Sequence, residues 1–147
     1  MAGVNVFDME IPEGRSDVGR AAGGEATTMF LYDVEPGASS CPYHYEYEEE
    51  WLLVLDGSLV LRAPDGERTL TRGDLVCFPA GPAGAHKLTN RSEATARMMM
   101  FSSSRVPAVS VYPDSDKIGV WPGNEADSLI FKRGTAVSYD EGEEGFG

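Results

Sequence analysis

From Thr27 onward, apolar and polar residues alternate in short runs of four to eight rather than in a helical repeat. Thr27–Val34, Ser40–Glu46, Trp51–Leu55, Ser58–Arg62, Leu75–Phe78, Lys87–Asn90 and Ala96–Phe101 are rich in β-branched, aromatic and aliphatic residues. That composition suits a pleated, half-buried surface. Turn chemistry separates the runs: Glu35-Pro36-Gly37, Asp56-Gly57, Asp65-Gly66, Arg72-Gly73-Asp74 and the Pro/Gly stretch Pro79–Gly84. Asp56-Gly57, flanked by two apolar runs, predicts a two-residue hairpin. Short, evenly spaced strands with no intervening helical period predict an all-β sandwich or barrel.

Trp51-Leu52-Leu53-Val54-Leu55 is apolar on both parities, whereas a strand with one wet face should alternate. Its outward face therefore needs a cover. Residues 1–26 have few periodic apolar positions and read as an N-terminal arm with at most one short strand, near Val4–Phe7. Residues 107–147 carry further strand-like runs, Val109–Tyr112 and Leu129–Lys132. They read as a C-terminal extension packed on the barrel, which gives a single domain over 1–147 with its core at about 27–101. The arm, the C-terminal strands or a second subunit are the candidate covers, and the last of these makes a homodimer the expected assembly.

A chain of 147 residues buries roughly 68–70% of its unfolded surface, so one core suffices without staples. The balance of 24 acidic against 12 basic residues gives a net charge of −12. Phosphate backbones and anionic headgroups repel such a chain, which excludes nucleic acid and membrane surfaces as expected partners. No apolar run approaches the ~20 residues of a membrane helix, and the first ten residues lack a basic, then apolar, leader. A cytoplasmic location is the expectation. The acidic stretch Asp140–Glu144 reads as a solvated tail. Cys41 and Cys77 are too few for a disulfide framework and are expected to be free, buried thiols. The alternative is that one of them lines the site.

The chemistry concentrates on histidine, of which the chain has two, His44 and His86. In an extended segment His44 and Glu46 project to one face. A turn at Tyr47–Glu49 returns the chain so that Glu50 starts the next strand beside His44, and His86 begins a later strand after the Pro/Gly turn. Two imidazoles with one or two carboxylates in a small barrel form a divalent-metal site; such sets with open positions suit Fe(II), and Mn, Ni, Zn or Cu also bind them.

These residues carry a resemblance to the cupin superfamily. The spacing His44-x-Glu46-x3-Glu50-x6-Gly57 resembles the first cupin motif from its first histidine onward, with Gly37 one residue further upstream than the motif prefers. Gly73-x5-Pro79-x-Gly81 followed by His86-x3-Asn90 resembles the second motif, with two extra residues before the histidine. The resemblance implies a small single-domain cupin: a double-stranded β-helix, or jelly-roll barrel, with one divalent transition metal deep in its cavity. By position, His44, Glu50 and His86 match the family's ligands, and Glu46 stands where the family has its second histidine. Glu46 is then either a fourth ligand, which hardens the site toward Fe(II) or Mn(II) over Zn, Ni or Cu, or a catalytic general base.

Several neighbours read as structural. Glu48 and Glu49 are expected to be solvated turn residues, and Tyr43, Tyr45 and Tyr47, on the parity opposite to His44, are expected to pack. Met98–Met100 with Phe101 reads as a buried strand whose alternate residues line an apolar part of the pocket. Arg62 and Arg97 are candidates for holding an anionic substrate, with surface positions as the plainer reading. The leading function is a metal-dependent, dioxygenase-like enzyme acting on a small organic molecule. The alternatives are a metal-dependent sugar or keto-acid isomerase and a non-catalytic ligand-binding or sensing module. A fold of this kind serves all three.

Overall fold

The computed structural model describes residues 3–103 and 105–145, and its chain is nearly all strand. The strands of the barrel are β1 (Arg15–Asp17), β2 (Thr27–Val34), β3 (Tyr45–Glu46), β4 (Glu50–Asp56), β5 (Ser58–Ala63) and β6 (Gly66–Thr71). There follow β7 (Leu75–Phe78), β8 (Lys87–Thr89) and β9 (Ala96–Ser103), then β10 (Ala108–Tyr112), β11 (Lys117–Trp121) and β12 (Leu129–Lys132). One helical turn, α1 (Val18–Ala21), begins at Asp17, whose carboxylate accepts from the Arg20 amide. The strands build three antiparallel sheets, ordered β1-β2-β9-β4-β7, β12-β11-β10-β3 and β6-β5-β8. This is the expected all-β jelly-roll arrangement.

The main core lies between the first and third sheets. Val34, Leu52, Val54, Phe78, Ala96 and Met98 face Leu59, Leu61, Leu70 and Leu88. Each fully buried aliphatic side chain there contributes on the order of 1.5–3 kcal/mol, which makes this layer the principal source of stability. The opposite parity of β4 is also covered. Leu53 and Leu55 pack with Val6, Met9, Ile11 and Val18 in a second cluster, so the N-terminal arm is the lid that the double-sided apolar strand demanded. Arg97 fastens it: its guanidinium grips Asp33 at 2.7 and 2.6 Å and donates to the carbonyl of Val6 at 3.0 Å.

Three expectations are corrected. Val4–Phe7 is not a strand; the Asp8 amide closes a turn onto the Asn5 carbonyl, and Asn5 is a poor strand former. Asp56-Gly57 is not a hairpin, because β4 pairs with β7 and β9 while β5 pairs with β6 and β8. Gly57 (φ +73°) is instead the corner at which the chain leaves one sheet for the other, with a Cβ there only 3.0 Å from the Ala96 backbone. Cys77 is exposed on β7 rather than buried, since Phe78 takes the inward parity. Arg62 and Arg97 take no part in the cavity of His44, in keeping with the plainer reading of them: Arg62 is held by Asp114 and lies over the Tyr43 ring, while Arg97 fastens the arm.

Asn90, the last residue of the second motif, is a structural pin. It is fully buried; its amide donates to the carbonyls of Val34 (2.7 Å) and Ala94 (2.8 Å), and its Oδ1 accepts from the Ser92 amide and hydroxyl. Replacing Asn90 by Ala takes the side-chain donor from the buried Val34 carbonyl and leaves the Ala94 carbonyl to the Ser92 hydroxyl, so Asn90→Ala is expected to cost about 1–3 kcal/mol. Urea unfolding checks this: the midpoint should fall with the slope unchanged.

Candidate functional site

The site begins with a single backbone pairing. The His44 amide donates to the His86 carbonyl at 3.1 Å and the His86 amide returns the bond to the His44 carbonyl at 2.8 Å. This exchange sets the two imidazoles side by side, with ring centroids 4.7 Å apart. His86 is completely buried and stacks on Phe78 at 3.8 Å. Its approach is set by Gly84, where any Cβ would lie 1.9 Å from the Pro79 carbonyl oxygen; only glycine lets the turn close so tightly. Gly84 then offers its own carbonyl to His86 Nδ1 at 2.9 Å, as the Pro42 carbonyl does to His44 Nδ1 at 3.0 Å. A carbonyl can only accept, so both Nδ1 atoms carry the proton and both Nε2 atoms present lone pairs.

Two carboxylates meet those lone pairs. Glu46 lies two residues beyond His44 on the same face, and Glu50 opens β4, where it is gripped between β7 and β9. Glu50 Oε2 is 3.7 Å from His86 Nε2 and 3.9 Å from His44 Nε2; Glu46 Oε1 is 4.0 Å from His44 Nε2. These separations exceed hydrogen-bond length. Among the described residues the buried His86 Nε2 has no hydrogen-bond partner, an arrangement that normally costs free energy. Donor atoms around one ion at ~2.1 Å stand roughly 3.0–3.4 Å apart, closer than any of these three separations. Two overlapping groups have donors all within 4.8 Å of one another: His44, Glu46 and Glu50, and Cys41, His44 and His86.

Burial governs the charge states. It pushes the Glu50 carboxyl up to about 8, with help from the negative charges of Glu46 and Glu48. It drives His86 down to about 4, against the opposing pull of the Gly84 carbonyl. Both groups are therefore neutral near pH 7 when no cation is present, and their contacts are not ion pairs.

The structure brings His44, Glu46 and Glu50 to one cavity of about 450 Å³, within the range of small-molecule sites; the fully buried His86 is not part of its lining and meets the site through Glu50. Phe30, Tyr32, Met100 and Phe101 form its apolar wall, and Arg15 and Arg105 bring cations to it. Tyr45 packs with Ala85 and Val111, and Tyr47 is exposed. Glu49 is exposed as expected, whereas Glu48 turns to the cavity and accepts from Ser103 Oγ. Glu50 does not start a strand paired with its predecessor, because β3 pairs with β10. That pairing adds residues no motif signalled: Ser110 Oγ donates to Glu46 Oε1 at 2.8 Å, and Trp121 Nε1 donates to Ser110 Oγ at 3.2 Å. Gly119 leaves room for this indole, since a Cβ there would meet the ring at 3.0 Å. Tyr112 stacks on His44 at 5.8 Å.

Residues 30–102 match the family model described as Cupin domain. The tetracenomycin polyketide synthase protein TcmJ of Streptomyces glaucescens is 30% identical over 84 residues, 56% of this chain; the chain spans 55% of that protein's length. The solved structure of a cupin-superfamily sugar phosphate isomerase from Silicibacter pomeroyi is 29% identical, with a TM-score of 0.74 over 87% of this chain and 83% of its own. A candidate sugar phosphate isomerase from Acidithiobacillus ferrooxidans is 26% identical, with a TM-score of 0.75 over 84% of this chain and 78% of its own. No helix among the described residues is long and apolar enough to cross a membrane.

The two shifted groups give the metal-free protein a characteristic pH dependence. Glu50 holds its proton more tightly folded than unfolded, so its contribution to stability falls as pH rises from about 4.5 to about 8. His86 binds its proton less tightly folded, so its contribution rises between about 4 and 6.5. The two oppose each other below pH 6.5, and above it Glu50 acts alone, by up to about 1.4 kcal/mol per pH unit. Thermal unfolding in chelator should show stability falling from pH 6.5 to 8, and Glu50→Gln should flatten that slope.

Proposed function

The chain belongs to the cupin superfamily, and we propose that it is a metal-dependent enzyme that enolises a small carbonyl compound, as an isomerisation requires. The observation that carries this reading is the buried, unpartnered Nε2 of His86, 3.7 Å from Glu50 Oε2 and beside the His44 ring, which itself lies against Glu46 and Glu50. Buried polar atoms are left without partners where something else completes them, and this donor set is that of a divalent-metal site. His44, Glu50 and His86 would hold the ion. With nitrogen and oxygen donors together, Fe(II) and Mn(II) suit it best, and Zn, Ni or Cu bind less selectively.

A bound ion supplies Lewis acidity, which polarises a carbonyl oxygen and acidifies the adjacent C–H. The protein's own groups do the rest. Glu46, steadied through Oε1 by Ser110, takes the proton from the hydroxyl-bearing carbon beside the carbonyl and returns it to the former carbonyl carbon, while the hydroxyl proton passes to the former carbonyl oxygen, so the conversion is redox-neutral. Arg15 and Arg105, at the cavity, attract an anionic substituent. The wall of Phe30, Met100 and Phe101 excludes water from the enol. Support for isomerisation over oxygen chemistry comes from the two solved relatives named for sugar phosphate isomerase activity, which match most of the chain. The polyketide relative fits the same substrate class, since polyketides are rich in carbonyl groups. The 2-His-carboxylate core also favours a second reading, Fe(II)-dependent oxygenation. The exposed Leu129, Ile130 and Phe131 of β12 support pairing of two copies.

Untagged protein purified without chelator should carry about one divalent ion per chain by elemental analysis, a direct consequence of one such cavity. His44→Ala should lose it. Glu46→Gln should keep the metal but slow exchange of the substrate's α-proton with D2O by roughly 10²–10⁴-fold, measured on sugar phosphates and keto acids. Folded, metal-free protein with unaltered ligand binding after His44→Ala would sink the metal reading. Oxygen consumption without proton exchange would establish the oxygenase instead.

A further inference from the structure

Cys41 stands at the same cavity without having entered the donor set above. Its Sγ, with the imidazoles of His44 and His86, forms a group whose donor atoms all lie within 4.8 Å of one another. The Ser40 hydroxyl donates to that sulfur at 3.5 Å. The ring beside it, His86, is fully buried, and its Nε2 has no partner among the described residues. The position of Cys41 follows from the backbone. Ser39 bridges Thr89, the Ser40 amide donates to the Leu88 carbonyl, and His44 bridges His86. The segment 39–44 therefore runs along the strand that ends at His86, with Cys41 on the cavity wall between two fixed pairings.

We propose that Cys41 is itself a metal ligand, its thiolate forming with His44 and His86 an S,N,N set for a thiophilic divalent ion such as Zn(II) or Co(II). The inference rests on the metal reading of this cavity and extends it. His44 is common to two donor groups, one with the sulfur of Cys41 and the imidazole of His86, the other with the carboxylates of Glu46 and Glu50. Soft thiolate selects Zn-like ions and carboxylate oxygen selects Mn- and Fe-like ones, so the ion that enters decides which group completes its shell. Coordination forms one metal–sulfur bond, the thiol proton passes to solvent, and no electron is transferred. Cys77 is exposed on β7, away from the cavity lining, and takes no part.

Cobalt reports sulfur directly. Co(II) added to the metal-free full chain, with a phosphine reductant present, should give visible ligand-field bands together with a near-ultraviolet sulfur-to-cobalt charge-transfer band. That band should persist in Cys77→Ser and vanish in Cys41→Ser. Zn(II) affinity should fall in Cys41→Ser by at least the roughly tenfold that loss of a mere outer-shell partner costs, while Mn(II) affinity stays unchanged. If Cys41→Ser folds poorly, X-ray absorption at the zinc edge of the wild-type chain decides alone, since a Zn–S contact at about 2.3 Å is distinct from Zn–N at about 2.0–2.1 Å. Ligand-field bands without the charge-transfer band, or a zinc shell without sulfur, overturn the role of Cys41 and leave the metal site standing. Absence of any ligand-field band defeats the metal reading, and this inference with it.

Discussion

The pair of hydrogen bonds exchanged between the backbones of His44 and His86 is the constraint on which the site depends. The two residues are far apart in sequence, and nothing local would hold their side chains together. A two-way amide–carbonyl exchange fixes two peptide planes at once, and each imidazole is then oriented by a carbonyl two residues before it, Pro42 for His44 and Gly84 for His86. Ring position and proton position are thus both settled by main chain, the least adaptable part of the structure. Side chains added around this pair inherit its precision.

What surrounds the pair comes from different layers. Glu50 opens β4, an interior strand of the largest sheet, and moves only if that sheet moves. Glu46 is borne by a two-residue strand whose neighbour is the C-terminal β10. The N-terminal arm closes the back of the sheet over Leu53 and Leu55 and also brings Arg15 to the cavity. The two ends of the chain thus serve the site differently, the arm sealing apolar surface and adding a cation, the C-terminal strands steadying an acidic group.

Legibility in the sequence followed the strength of each signal. Strands with a clear apolar parity, such as Thr27–Val34, Leu75–Phe78 and Leu129–Lys132, lie where the pattern puts them. Gly66–Thr71 escaped because only Leu70 points inward, and Lys117–Trp121 because Gly119 interrupts its pattern. The two histidines and their spaced carboxylates were legible because metal donors are scarce and motif-bound. The Asp56-Gly57 corner was misread because a glycine with positive φ serves a hairpin and a sheet crossing equally well. Arg62 and Arg97 could not be placed, since strand parity says nothing about which acid a long side chain will find. Ser110 and Trp121 had no signal at all; their role arises from the register of β10 against β3 and β11, which is a tertiary fact.

The hydrogen-bonded line from Trp121 through Ser110 to Glu46 has a bearing on how such a molecule diversifies. Every proposed metal donor sits within the stretch matched by the family model, whereas the groups that aim Glu46 lie beyond it. Substitutions in the final third of the chain can thus re-aim the acidic group without disturbing the imidazoles, and substitutions in the barrel can change the ion without disturbing the aim. Two parts of the proposed centre are free to drift separately under selection, one that would set which ion is held and the other that would set where a proton goes.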